Sequence, residues 1–467
     1  MYGRKIIKTS FNLFAGACLA VLADNAMAQP PLSDSTITKL KLGVEGFQER
    51  YRSPSIAVAI VHGDTIIFSD ARGFTDLENK VPAAIDSRYQ IQSITKMFTA
   101  TMFMQLWEQG IIDGDDSVSA YVPEFPGDAT FLELATHNSG LPRNSPADVR
   151  FAQQVDRWLL TKADSGPIQS AGNEDFISSL AHVSLQYPAY EFLKPDTRHY
   201  SNLGYGLLGL ALERATAIEY ERYVVDQICE AMGLANTGFG TVGTTDNAIA
   251  KGYFYRGDSL GFIRTPDYFP RSMIPAAGMY STARDLARFV SAQFDGNHAV
   301  LSAKSCRMMQ QMGIGWMRNH PFIMHEGSML GARAEIVFHP KLRIGWVVLA
   351  NTTDFPFNRI NDYIANLIVP LYTAEPIVEL EKYVGTYALD GGYGKLEIHM
   401  KDGKLYSTYL QGMLPEEALR LSGAHSFTAK GMDGHDIQYE FIRGAGPEIT
   451  GLSLNQLLDQ TVKWIRI

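Results

Sequence analysis

The chain has 467 residues, 46% apolar and 19% charged, with a formal net charge of −9. Its composition excludes a fibrous or disordered protein. The acidic balance, with no basic patch, argues against nucleic acid as a partner and gives no support for an anionic membrane surface. The length exceeds what one compact core accommodates and predicts two domains.

In chain order, Arg4, Lys5 and Lys8 precede an apolar stretch over 11–23 and the small-residue site Ala26-Met27-Ala28. This pattern predicts a secretory signal peptide over 1–28, cleaved after Ala28, and an exported (periplasmic or secreted) protein. The apolar stretch is too short for a comfortable transmembrane helix, so no integral membrane segment is expected after signal removal. A helix is predicted over 37–51, then a β-hairpin of 55–61 and 65–69 turning at His62-Gly63-Asp64. Beyond 28 the chain holds only Cys229 and Cys306, for which one disulfide or two buried thiols are equally consistent. No cysteine–histidine cluster has zinc spacing, so neither metal nor cofactor is expected.

The most telling stretch begins at Ile91-Gln92-Ser93-Ile94-Thr95-Lys96 and runs into an apolar segment through Leu106. It predicts a buried helix of about four turns with a stop at Gly110. Ser93 and Lys96, three residues apart, share one face of such a helix. A hydroxyl at its first turn lies among unpaired N–H groups, and a lysine in an apolar run sheds its proton and becomes a base. Acyl transfer needs that combination, although Ser-x-x-Lys alone is a weak signal.

From Asp113 to about Ala248 the pattern is helical with long polar connections, including helices over 131–140, 203–216 and 219–232. Tyr200-Ser201-Asn202 stands on a loop before a helix, where side chains can be aimed into a cleft. A lysine ammonium near Tyr200 would lower its pKa and make it a proton shuttle; otherwise Tyr200 is a packing residue and Asn202 a cap. A small hairpin is expected over 252–265. Its turn, Gly257-Asp258-Ser259-Leu260-Gly261, matches a nucleophile elbow in letters only, because a strand-like segment and Pro266 follow where a helix is required. Another helix is expected from about Thr282. Strands are predicted over 313–317, 321–327, 334–339 and 343–350, and a closing helix over 357–371. His325-Glu326-Gly327-Ser328 ends the second of these strands. Gly327 permits close backbone approach there, and the Ser328 N–H can serve an oxyanion. The early hairpin must pair with the late strands, which makes the fold class α+β: an antiparallel sheet flanked by helices, with an inserted helical subdomain. From about 376 to 467 short strands at regular spacing predict a small antiparallel barrel or sandwich of about 90 residues.

Ser93-x-x-Lys96, Tyr200-x-Asn202 and His325-x-Gly327, in that order, resemble the serine β-lactamase and penicillin-binding-protein superfamily. The class C-like branch, with D-aminopeptidases, D-alanyl-D-alanine carboxypeptidases and family VIII carboxylesterases, is the most similar. The stretches 136–142 and 277–286 resemble family segments flanking the site, and the similarity covers about residues 36–370. The C-terminal part is more weakly similar to lipocalin-like domains appended to some of these enzymes. The resemblance implies a hydrolase domain over 29–372 and a β-barrel domain over 376–467. It implies Ser93 as the acylated nucleophile, Lys96 as its activator and Tyr200 as the proton carrier. Asn202 would bind substrate or Lys96, and the N–H groups of Ser93 and Ser328 would form the oxyanion hole.

The expected activity is that of an exported serine hydrolase on small amide, peptide or ester substrates. A dedicated carboxylesterase and a non-turnover protein that binds penicillin or cell-wall fragments are the alternatives. His325 and Glu326 stand where the family usually has Lys and Thr, which weakens recognition of a substrate carboxylate. Arg333 is a candidate to compensate. Esters and substrates with a free amine are easier to accommodate.

Overall fold

The computed structural model describes residues 32–162, 166–186, 199–240, 249–373, 380–391, 394–409, 416–423, 425–430, 436–444, 446, 448–456 and 460–467. The expected signal peptide over 1–28, most of the junction after Thr373 and the Asp433-Gly434 turn lie outside these residues. No described helix is long and apolar enough to cross a membrane.

The central element is an antiparallel sheet of seven strands. Its order is 81–82, Thr65–Asp76, Ser55–His62, Ile344–Ala350, Ala332–His339, Phe322–Met329 and Met317–Asn319. The predicted hairpin therefore pairs with the late strands, with Val58 opposite Val348 and Ile336 opposite Val347. Side chains alternate between two faces. Ala57, Ala59, Val61, Ala334, Ile336 and Leu349 enter the main core. Ile56, Val58, Ile60, Val337, Trp346 and Val348 enter a second core under the helices Asp34–Arg50 and Phe357–Tyr372. Both faces are covered, so Ser55–Val61 is buried throughout and reads as an unbroken apolar run rather than an alternating one.

The Thr95–Glu108 helix is buried from Thr95 to Leu106, as a helix apolar on every side must be. Its threonine hydroxyls are paired. Thr99 Oγ1 bonds the Pro275 carbonyl at 2.6 Å and the Tyr220 hydroxyl at 2.7 Å, and Thr101 Oγ1 bonds the Met97 carbonyl at 2.8 Å.

Some local expectations change. The helix predicted over 131–140 is only Phe131–Ala135, because His137 adopts the left-handed conformation (φ 61°) and turns the chain into a loop. The one over 219–232 is helical over Tyr220–Val224 and widens into a π turn at Val225–Cys229. A helix at Ala303–Met312, absent from the predicted elements, ends on left-handed Gly313, so the strand expected at 313 begins at Met317. The 257–261 stretch is the tight turn joining Tyr253–Tyr255 to Phe262–Arg264, with Gly257 and Gly261 at positive φ. Cys229 and Cys306 are buried free thiols.

Nine strands between Gly385 and Arg466 form a second sheet. Its outermost strands, Glu417–Ala418 and Arg420–Gly423, are separated in sequence only by Leu419. One residue thus carries the chain from one edge to the other, and the sheet is a nearly closed barrel around Tyr383, Tyr387, Phe427, Leu452 and Trp464. The barrel touches the hydrolase part where the His339 Nε2–H donates to the Ser422 carbonyl (3.2 Å) and Arg420 pairs with Asp362 at 3.6 Å.

Candidate active site

Ser93 lies in the single 3₁₀ turn Gln92–Ile94 that opens the buried helix. The strand Tyr89–Gln90 leads in and pairs with Met279–Ser281. Gln92 holds a left-handed conformation (φ 49°) with its amide buried and donating to the Tyr268 hydroxyl at 2.7 Å. Such a conformation persists only where packing over-determines it, and here it sets the hydroxyl-bearing turn.

Lys96 is 0% exposed. Its Nζ lies 3.2 Å from Ser93 Oγ and 2.9 Å from both Asn202 Oδ1 and the Ala276 carbonyl. Burial, and after it the field of Arg143, hold its pKa well below the usual lysine range, which favours the neutral amine. A neutral amine has two N–H donors and one lone pair. Asn202 and Ala276 present only acceptors, which take both donors and leave the lone pair to Ser93 Oγ. Asn202 Nδ2 donates to Asn144 Oδ1 at 3.0 Å, which directs its oxygen to Lys96.

Tyr200 hydrogen-bonds Ser93. Lys96 Nζ is 4.8 Å from the Tyr200 ring centre, His137 stacks on that ring at 4.4 Å, and the Arg143 guanidinium lies 5.1 Å away. The expected lowering of its pKa does not occur. Burial pushes the phenol up to about 12, outweighing the Ser93 hydrogen bond and the Arg143 field, which pull it down.

The strand Phe322–Met329 passes directly beside the Ser93 turn. A Cβ on Gly327 would sit 2.1 Å from the Ile91 carbonyl oxygen, so only glycine permits this approach. His325, 1% exposed, has its pKa lowered to about 3 by burial and then by Lys96. Its Nδ1–H donates to the Glu326 carbonyl at 2.8 Å, which leaves Nε2 as a buried acceptor with no partner among the described residues. Glu326 and Ser328 pair with Glu335 and Arg333 across the ladder, and so stand on the opposite face from His325. Arg333 is occupied there. It donates to Ser328 Oγ at 2.5 Å and to the Phe355 carbonyl at 3.2 Å, and lies over Phe357. It faces away from Lys96 and does not compensate for the missing cation.

The structure thus brings Ser93, Lys96, Tyr200 and Asn202 into contact, with His325, Gly327 and Ser328 alongside. Sequence reasoning did not single out His137, Arg143, Asn144, Gln92 or the Ala276 carbonyl. His137 Nδ1 accepts the Ser201 N–H at 3.1 Å, and the Arg143 carbonyl accepts the Asn202 N–H at 2.7 Å. Only the flanking stretches 136–142 and 277–286 hinted at this layer.

A half-buried serine beside a buried lysine at the start of a core helix, next to the edge of an antiparallel sheet, defines the class: proteins of β-lactamase architecture. Residues 43–369 match the Beta-lactamase family model, and the chain belongs to that family. Beta-lactamase-like protein 2 of Dictyostelium discoideum is 34% identical over 260 residues, 53% of this chain and 44% of the relative. Protein flp of Staphylococcus aureus is 24% identical over 351 residues, 71% of this chain and 64% of the relative. The chain therefore spans less than two thirds of these curated relatives. Among solved structures, the octameric penicillin-binding protein homologue from Pyrococcus abyssi superposes with a TM-score of 0.61 at 22% identity, over 92% of this chain and 99% of that one. That coverage is too large for residues 29–372 alone. The D-amino acid amidase from Ochrobactrum anthropi SV3, complexed with D-phenylalanine, superposes with a TM-score of 0.58 at 22% identity, over 71% and 99%. These likenesses establish the fold.

Proposed function

We propose that the protein is an exported serine hydrolase that works through an acyl-enzyme on small amide, peptide or ester substrates. The observation that carries this reading is the donor–acceptor arrangement around Lys96, whose two N–H groups have other partners and whose lone pair faces Ser93 Oγ.

Ser93 Oγ attacks the acyl carbon while Lys96 Nζ takes its proton. The oxyanion accepts hydrogen bonds from the N–H groups of Ser93 and Ser328, which the close passage at Gly327 brings near each other. As the bond to the leaving group breaks, that group takes the Tyr200 phenolic proton, and the Lys96 ammonium returns one to Tyr200. Water repeats the sequence in reverse, releasing the acid and restoring Ser93. A neutral His325 supplies no cation on the third-motif strand, which favours an ester or an amine-bearing substrate over a penicillin on that side.

The test is hydrolysis of p-nitrophenyl butyrate, run beside the intact mass of the protein after brief exposure to a penicillin. Wild type is expected to cleave the ester, and Ser93→Ala to lose all enzymic turnover. An equal rate in Ser93→Ala would overturn the assignment. A Ser93-dependent penicillin adduct would identify a penicillin-binding peptidase type, and loss of penicillin without an adduct a lactamase.

A further inference from the structure

We infer that Arg143 is a specificity-determining residue that receives an anionic group, such as a carboxylate, on the leaving-group side of the substrate. The inference rests on the proposed roles of Ser93 and Tyr200.

Lys96 is buried and committed to three partners. His325 is buried and neutral, and Arg333 is tied down on the far face of the sheet. Arg143 differs from all three. It is exposed, and among the described residues no carboxylate pairs with it and no side-chain hydrogen bond engages its guanidinium. The exposed Glu326 acts on Tyr200 with the opposite sign, yet forms no ion pair with Arg143. Arg143 is also held in place. Its carbonyl accepts the Asn202 and Leu203 N–H groups at 2.7 and 3.3 Å, pinning its backbone to the start of the Asn202–Thr216 helix. The guanidinium then lies 5.1 Å from the centre of the Tyr200 ring.

Tyr200 delivers the proton to the departing group, so a cation over its ring lies where that group emerges. A guanidinium offers paired N–H donors in one plane, suited to the two oxygens of a carboxylate. The leaving portion that this geometry accepts is anionic near the scissile bond.

The experiment uses the full-length protein and two butyrate esters, one of 4-hydroxybenzoate and one of 4-hydroxybenzamide, which differ in the charge on the leaving group. The preference is the ratio of their kcat/KM values at one pH. Comparing that ratio between wild type and variant cancels intrinsic reactivity and any effect of Arg143 on Lys96. Arg143→Gln is expected to lower the preference for the carboxylate by about tenfold, and Arg143→Lys to retain part of it. An equal fall for both esters would overturn the inference and leave Arg143 as an electrostatic neighbour of Lys96. If wild type cleaves neither ester, ligand-detected NMR with free 4-hydroxybenzoate and 4-hydroxybenzamide decides separately. Selective binding of the carboxylate that disappears in Arg143→Gln keeps the inference while the hydrolase reading falls. Equal binding of the two rejects it.

Discussion

In water a lysine holds its proton up to about pH 10, and at the Ser93 site such a lysine would be useless as a base. Burial reverses this, because the charged form loses its hydration and finds only neutral acceptors at Asn202 and Ala276. The sign of the pH dependence follows. Lys96 has a lowered pKa, so the competent neutral amine dominates above that pKa and is lost as pH falls through it. A plot of kcat/KM against pH is expected to rise along one acid limb to a plateau. Tyr200, with a pKa of about 12, contributes no alkaline fall below about pH 10. Removing the Arg143 charge raises the pKa of Lys96, so the limb in Arg143→Gln is expected at higher pH than in wild type. An unmoved limb would assign it to another group. The serine–lysine spacing and the apolar run around Lys96 are legible in sequence. The lone-pair assignment is not, because the Ala276 carbonyl lies 180 residues away from Lys96.

Among the elements, the strand Ala332–His339 carries a buried acid outside the site. Glu335 faces the Phe357–Tyr372 helix, where its Oε2 accepts the Asn361 Nδ2–H at 2.7 Å and Asn361 Oδ1 accepts the Trp346 indole N–H at 2.8 Å. Burial pushes its pKa up to about 8. The folded state therefore holds a proton that the unfolded state releases near pH 4.5. The contribution to stability is fully present below that pH and is lost as pH rises towards 8. Melting curves of Glu335→Gln are expected to match wild type near pH 5 and to exceed it increasingly up to pH 9. A constant difference would show that Glu335 ionises normally in the folded protein. Element prediction succeeds for this sheet because its central strands are unbroken apolar runs bounded by turns. It misses Ala303–Met312, a segment with no Leu, Ile or Val, whose buried apolar face is carried by Cys306 and Met309. It also overextends the 131–140 helix, since a histidine in the left-handed region leaves no mark in composition.

For the whole molecule, every residue assigned to the candidate site lies between Gln92 and Ser328, and the barrel meets the hydrolase part away from it, at His339 and Asp362. A chain ending at Tyr372 is expected to keep Ser93-dependent labelling by a fluorophosphonate. Its melting temperature should fall, because the outer side of the Phe357–Tyr372 helix loses its cover. Loss of labelling with an intact circular-dichroism spectrum would mean that the barrel contributes to the site.

The sequence by itself determined the α+β class, the pairing of an early hairpin with late strands, the C-terminal β-domain, and the order of the serine–lysine, Tyr200–Asn202 and His325–Gly327 motifs. Periodicity, turn chemistry and motif spacing are local properties, written in consecutive residues. Only the tertiary structure decided that the pKa of Lys96 is pushed down, that the pKa of Tyr200 is raised rather than lowered, and that Arg333 faces away while Arg143 stands over the site. Desolvation and Coulomb fields depend on which residues surround a group in space, and those neighbours come from segments that the chain order keeps far apart.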